Sequence, residues 1–199
     1  MSQQARWIAA IVLPAACLVS LDAAMVSRQG AESFSSKVTQ VRLHGEGSGR
    51  QPRRTTFTQD ELNSWFMYQA QPLLPSGVTQ PQVTILGQGK LAGQATVDLE
   101  AIGKKRSTGG TFDPWSLLGG KVPLTVSGIL HTRDGMGKFE VQSAEVSGVP
   151  VPLSVLQELV GFYSRTPEHP EGLRLDQTFS LPAGIKQIEV GQSQAVVVQ

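Results

Sequence analysis

The stretch Thr58 to Pro75, TQDELNSWFMYQAQPLLP, constrains the fold more than any other in the chain. Thr58 stands three residues before Glu61, the spacing of a capping box, and an apolar pattern opens at Leu62. Leu62, Phe66 and Leu73 fall on one flank of a helix, with Trp65 and Ala70 close by, while Asp60, Glu61, Asn63, Gln69 and Gln71 are polar. Such a helix carries an apolar stripe that has to be buried against something. The chain beyond Pro75 is mostly strand-like, so the expected partner is a sheet.

The strongest strand signal is Lys90 to Glu100. Leu91, Gly93, Ala95, Val97 and Leu99 alternate with Lys90, Ala92, Gln94, Thr96, Asp98 and Glu100, the period of a sheet with one buried and one wetter side. Gly93 and Ala95 put little volume on the inner side, which leaves space for a closely packed helix or a ligand. Before it, Val83 to Leu86 reads as a short strand, with a reversal at Gly87-Gln88-Gly89. After it, Lys121 to Thr132 places Val122, Leu124, Val126 and Leu130 together, with a bend or bulge expected at Gly128. Asp134-Gly135 turns the chain into Gly137 to Val146, and GVPVP at 148–152 is expected to break the ladder.

A second amphipathic helix is expected over Leu153 to Ser164, with Leu153, Leu156, Val160 and Tyr163 in one row. The tail offers strands over Arg174–Leu181, Ile185–Val190 and Ala195–Val198, with a turn at Pro182-Ala183-Gly184. Upstream, 27–36 reads as a linker and Lys37 to Gly45 as a strand with Val41 and Leu43 on one face. Many antiparallel hairpins with two helices against them make an α+β domain, expected over 37–199.

The first 26 residues read as an address. Arg6 precedes an apolar run from Trp7 to Leu21 broken only by Pro14 and Ser20, with a charged Asp22 just beyond. A retained signal anchor, a cleaved signal peptide and lipidation at Cys17 are three open fates that imply export to an extracytoplasmic, periplasmic site, beside the alternative of a buried helix of the domain. Cys17 is the sole cysteine, so the folded part needs no disulfide.

Charge and motifs exclude several functions. The net charge is +1, which gives no concentrated basic surface for nucleic acid. His44, His131 and His169 belong to no paired-ligand motif, so neither a metal nor another cofactor is expected. Ser154 and Ser164 lack a nucleophile-elbow context, and Asp60 with Glu61 suits a helix N-terminus better than paired-carboxylate catalysis. The expectation is a protein that is not an enzyme. Arg50, Arg53 and Arg54 read as a solvated loop or a phosphate contact. Lys104, Lys105 and Arg106 flank a short turn carrying Trp115, Leu117 and Leu118. This patch either packs over one end of the sheet, or meets an anionic membrane surface or a protein partner.

The ELN after Thr58, LLPSGVTQPQVTI, GKLAGQATVDL, GVPVPLSVLQELV and the closing LPAGIKQIEV together resemble exported lipid-binding proteins of the LmeA/DUF2993 and YpmS-like type. The resemblance covers residues 37–198 as an order of elements and turns. It implies a curled antiparallel sheet wrapped around helices in the tubular, TULIP-like manner. It also implies an apolar groove formed by Leu62, Phe66, Leu73, Leu91, Val97, Leu156 and Val160, which would hold a lipid or other apolar envelope molecule. The basic, tryptophan-bearing segment around 103–120 departs from that pattern. Three alternatives stand beside it: that these residues fill a solid core, that the domain is an envelope assembly subunit working through protein contacts, and that it is an enzyme with a dispersed polar site in a cleft.

Overall fold

The computed structural model describes residues 26–47, 51–75, 77–98, 120–163, 172, 174–175 and 177–199. Among these, the helices are α1 (Arg28–Glu46), α2 (Gln59–Tyr68) and α3 (Leu153–Tyr163), and a 3-10 turn covers Gln71–Leu73. The strands are β1 (Arg54–Thr58), β2 (Val78–Gly87), β3 (Lys90–Asp98), β4 (Lys121–Arg133), β5 (Met136–Val146), β6 (Val149–Pro150), β7 (Phe179–Ser180), β8 (Gln187–Val190) and β9 (Gln194–Val198). All strand pairings are antiparallel, and the class is α+β as expected. The strands form two sheets where one was expected. One has the order β1-β9-β8. The other is the meander β2-β3-β4-β5-β6, with β7 also on β5.

The largest correction concerns residues 28–46. They form one helix, in place of the expected linker and strand. Ser27 caps it by accepting from the Gly30 N–H, and Ala31 and Val41 are buried. Leu43, expected to share a strand face with Val41, is exposed. Glycine allows the close approach of α2, since a Cβ on Gly30 would lie 2.7 Å from the Ser64 Oγ. The Ser64 hydroxyl accepts from the Ser27 N–H at 3.0 Å and is fully buried between the two helices. Phe34 of α1 stands edge-on to Phe57 and 5.4 Å from Trp65, which joins α1, β1 and α2 in one aromatic cluster.

The capping box at Thr58 and Glu61 is present in both halves. Glu61 does more than cap, because its carboxylate also accepts from Ser33 at 2.6 Å and from Lys37 Nζ at 2.6 and 2.7 Å. Burial pushes its pKa up. The hydrogen bonds from Lys37, Ser33 and the Thr58 N–H, together with the Lys37 charge, outweigh burial and leave it below the ordinary carboxylate value. The helix itself is shorter than Thr58–Pro75: it stops at Tyr68, and Pro72 sits in the 3-10 turn, where its missing N–H costs nothing.

Val41, Phe57, Leu181, Ile185 and Val197 form the core between α1 and the three-stranded sheet. The buried Gln199 amide closes it by donating to the carbonyls of Val41 and Ala183, at 2.8 and 2.7 Å. At the far end of α1 a Cβ on Gly45 would fall 2.3 Å from the Ala183 carbonyl oxygen. In the larger sheet the β4–β5 register shifts opposite Gly128, but the extra residue is Gln142 on β5 and not Gly128 as expected, and the Phe139 ring lies against Gly128. Asp134-Gly135 forms the β4–β5 turn with both residues at positive φ.

Three smaller expectations change. β2 starts at Val78 and runs through Pro81, which an edge strand tolerates. GVPVP does not end the ladder at once, because Val149 and Pro150 pair back on Val146 and Glu145. The expected strand Arg174–Leu181 shrinks to Phe179–Ser180.

Two measurements probe these contacts. Gly45→Ala should lower stability by about 1–3 kcal/mol in urea unfolding, because the overlap with Ala183 outweighs the better helix propensity of alanine, about 1 kcal/mol. Glu61 has a folded pKa below its unfolded one, so its contribution is complete above the unfolded value of about 4.3 and disappears as pH falls through the folded value. The stability gap between wild type and Glu61→Gln should therefore be widest near neutral pH and close on acidification.

Candidate functional site

Strand alternation gives the six-stranded sheet two unlike sides. Cross-strand register puts Val83 and Ile85 of β2 beside Gly93 and Leu91 of β3. Ala95 and Val97 continue that side onto Leu124 and Val122 of β4, and Val126 and Leu124 onto Ala144 and Val146 of β5. Val97, Ile85, Ala144 and Val146 on this side are buried. Leu91, Ala95, Val122, Leu124 and Val126 are only half-buried, and a Cβ on Gly93 would meet no described atom within 4 Å. The described residues therefore cover the apolar side incompletely.

Helix α3 covers part of it. Leu156 is 2% exposed, and Val160 is half-buried. Between α3 and β5 lies a groove of about 360 Å³ whose apolar wall is Phe139, Val141, Leu153 and Leu175. The Gln157 side-chain Oε1 accepts from the Leu175 N–H at 2.6 Å, which ties Leu175 to α3.

The other side is polar, and α2 flanks it. Edge strands need their outward backbone groups satisfied. Asn63 supplies both partners for Val83: its Nδ2 donates to the Val83 carbonyl at 2.9 Å, and its Oδ1 accepts from the Val83 N–H at 2.8 Å. One turn earlier, the Gln59 Oε1 accepts from the Ile85 N–H at 2.8 Å. Ser193 donates its N–H to the Ile85 carbonyl at 2.9 Å, and Pro81 has no N–H to satisfy. Residues four apart on a helix thus match residues two apart on a strand.

The seven residues expected to form one groove separate into two groups and one residue apart from both. Leu91 and Val97 lie on the apolar side, and Leu156 and Val160 lie on α3. Leu62 and Phe66 sit on α2, where Phe66 faces a groove floored by Gln82, Thr84, Gln94 and Thr96, the polar side. Leu73 is 72% exposed in the 3-10 turn, because the helix ends before reaching it. Lys104, Lys105, Arg106, Trp115, Leu117 and Leu118 lie outside the described residues, as does the N-terminal segment 1–25. Val122, Leu124 and Val126 join the apolar side although the family resemblance does not implicate them; their shared strand face is readable from alternation. The roles of Gln59 and Asn63 have no such signal, since they depend on which strand lies at the edge.

Among the described residues no group of three or more His, Cys, Asp or Glu side chains is placed to hold a metal. No described helix is long and apolar enough to cross a membrane. Of the basic run, Arg54 makes a forked pair with Glu189, at 3.1 and 2.5 Å, across the central strand β9. Arg53 donates to Gln40 at 2.6 Å. His131 stands 3.2 Å from Glu140 on the exposed side of the hairpin.

Asn63→Asp removes the donor to the Val83 carbonyl and sets a carboxylate against it. The variant should lose about 1–3 kcal/mol in urea unfolding, and the Val83 and Ile85 amides should exchange with deuterium faster than in wild type.

No protein-family model, no curated protein and no solved structure matches the chain.

Proposed function

We propose that the protein binds, and carries without chemical change, a lipid or other apolar molecule of the cell envelope. The observation supporting this is the half-covered apolar side of the six-stranded sheet, open over Gly93 and bordered by α3. An acyl chain has no polar group to satisfy, so covering Leu91, Leu124 and Val126 with one is driven by removing apolar surface from water. Small residues at Gly93 and Ala95 leave the depth such a chain needs. In this reading the sheet curls about its apolar side in the TULIP-like way, and α3 acts as the movable wall. The apolar run before Val26 holds the domain at the outer surface of the inner membrane, and the basic Trp115 segment meets the bilayer beside it.

A second reading, an envelope assembly subunit, draws on the exposed Met67 and Leu73 at the end of α2, which suit a protein contact.

Native mass spectrometry of the full chain after gentle extraction should show a co-purified lipid, and a fluorescent fatty acid should bind and be displaced by it. Val126→Lys, on the apolar side, should weaken that binding by about tenfold or more, ~1.4 kcal/mol. Thr125→Lys, on the opposite side beside Glu145, should leave it unchanged. Ligand-free spectra together with no fatty-acid binding would transfer the case to the assembly reading.

A further inference from the structure

The groove beside Phe66 has a different chemistry. It has a volume of about 620 Å³ and lies between α2 and the polar side of β2–β3. None of its described lining residues is charged. The neighbouring surface differs: a second groove of about 620 Å³, where β4 and β5 meet β8, is lined by His131, Arg133, Lys138 and Glu189. Lack of charge therefore distinguishes the described lining of this groove from the rest of the surface.

Its polar groups are amides and hydroxyls. Gln82 and Gln94 are cross-strand partners on its floor, and Gln71 stands on the wall beyond α2. These three amides make no side-chain hydrogen bond to any described residue, and neither does Thr84. Phe66 and Met67 supply an apolar wall, and the Phe66 ring is braced 5.3 Å from the Trp65 ring.

Each free amide offers one carbonyl acceptor and two N–H donors in a plane. A charged ligand would lose its hydration here with no opposite charge in return. An aliphatic ligand would cover amides it cannot satisfy. A chain of neutral, hydroxylated rings meets both conditions, because each hydroxyl donates and accepts while the C–H face of a ring lies on an aromatic side chain. The volume falls within the range of small-molecule sites, roughly 300–1,000 Å³. We infer that this groove is a binding site for an uncharged oligosaccharide, held by Gln71, Gln82 and Gln94 with Phe66 beneath a sugar ring. The inference stands whether or not the opposite side of the sheet holds a lipid.

The test is a titration of the full-length protein, extracted in a detergent without a sugar headgroup, followed through its ¹⁵N side-chain amide resonances. Maltohexaose, cellohexaose and chitohexaose serve as neutral probes and a heparin-derived hexasaccharide as the anionic one. At least one neutral probe should produce saturable shifts at the Gln71, Gln82 and Gln94 amides, and the anionic probe none. The double variant Q82A/Q94A should weaken the neutral response by roughly tenfold, and Gln82→Glu, which keeps size and shape, should weaken it likewise. Flat titrations with all three neutral probes would overturn the inference. So would an equal response to the anionic probe, or a response untouched by both variants.

Discussion

An exposed strand edge is an unfinished hydrogen-bonding ladder, and the arrangement of this protein depends on how the outer edge of β2 is finished. Asn63 and Gln59 reach it from α2, and the Ser193 backbone reaches it from the loop between β8 and β9. Gln59 also donates its own N–H to the Ser193 carbonyl at 2.9 Å. Two parts of the chain distant in sequence therefore converge on two strand residues. The helical layer cannot slide along β2 without leaving both partners of Val83 unsatisfied, and each such loss costs about 1–3 kcal/mol. This join fixes α2 along the sheet's edge and polar side, while the Phe34–Trp65 contact and the buried Ser64 hold it to α1.

The apolar effect acts mainly elsewhere. Its densest product is the cluster of Val41, Phe57, Leu181, Ile185 and Val197, which clamps α1 onto the small sheet. The larger sheet has a clean apolar side but little described structure to cover it beyond α3. A chain with that division has a firm half and an unfinished half. The firm half contains the charged network around Glu61, and the unfinished half presents the surface on which apolar binding is proposed.

What could be read from residues alone was whatever spacing encodes locally. The Thr58–Glu61 box, the alternation from Lys90 to Asp98 and the Asp134-Gly135 turn are each decided by neighbours along the chain. Helix α1 was not legible. Its apolar residues are sparse, and its glycines and serines resemble those of a linker until Gly30 is placed against Ser64 and Gly45 against Ala183. Pro81 likewise looks like an obstacle to a strand, since nothing local says that the strand is at an edge. The same non-locality misplaced Phe66. Its helical flank was right, but the side of the sheet it would face is fixed by Asn63 and Val83, twenty positions apart.

The two sheets meet at a narrow seam. The Thr132 hydroxyl donates to the Ile188 carbonyl and accepts from the Ile188 N–H, both at 2.9 Å, and farther along Leu86 bridges to Gln192. Main-chain bonds cross it as well, from the Gly89 N–H to the Val190 carbonyl, the Gly135 N–H to the Lys186 carbonyl and the Ser193 N–H to the Ile85 carbonyl. A joint stitched at several points shares a load between the two plates.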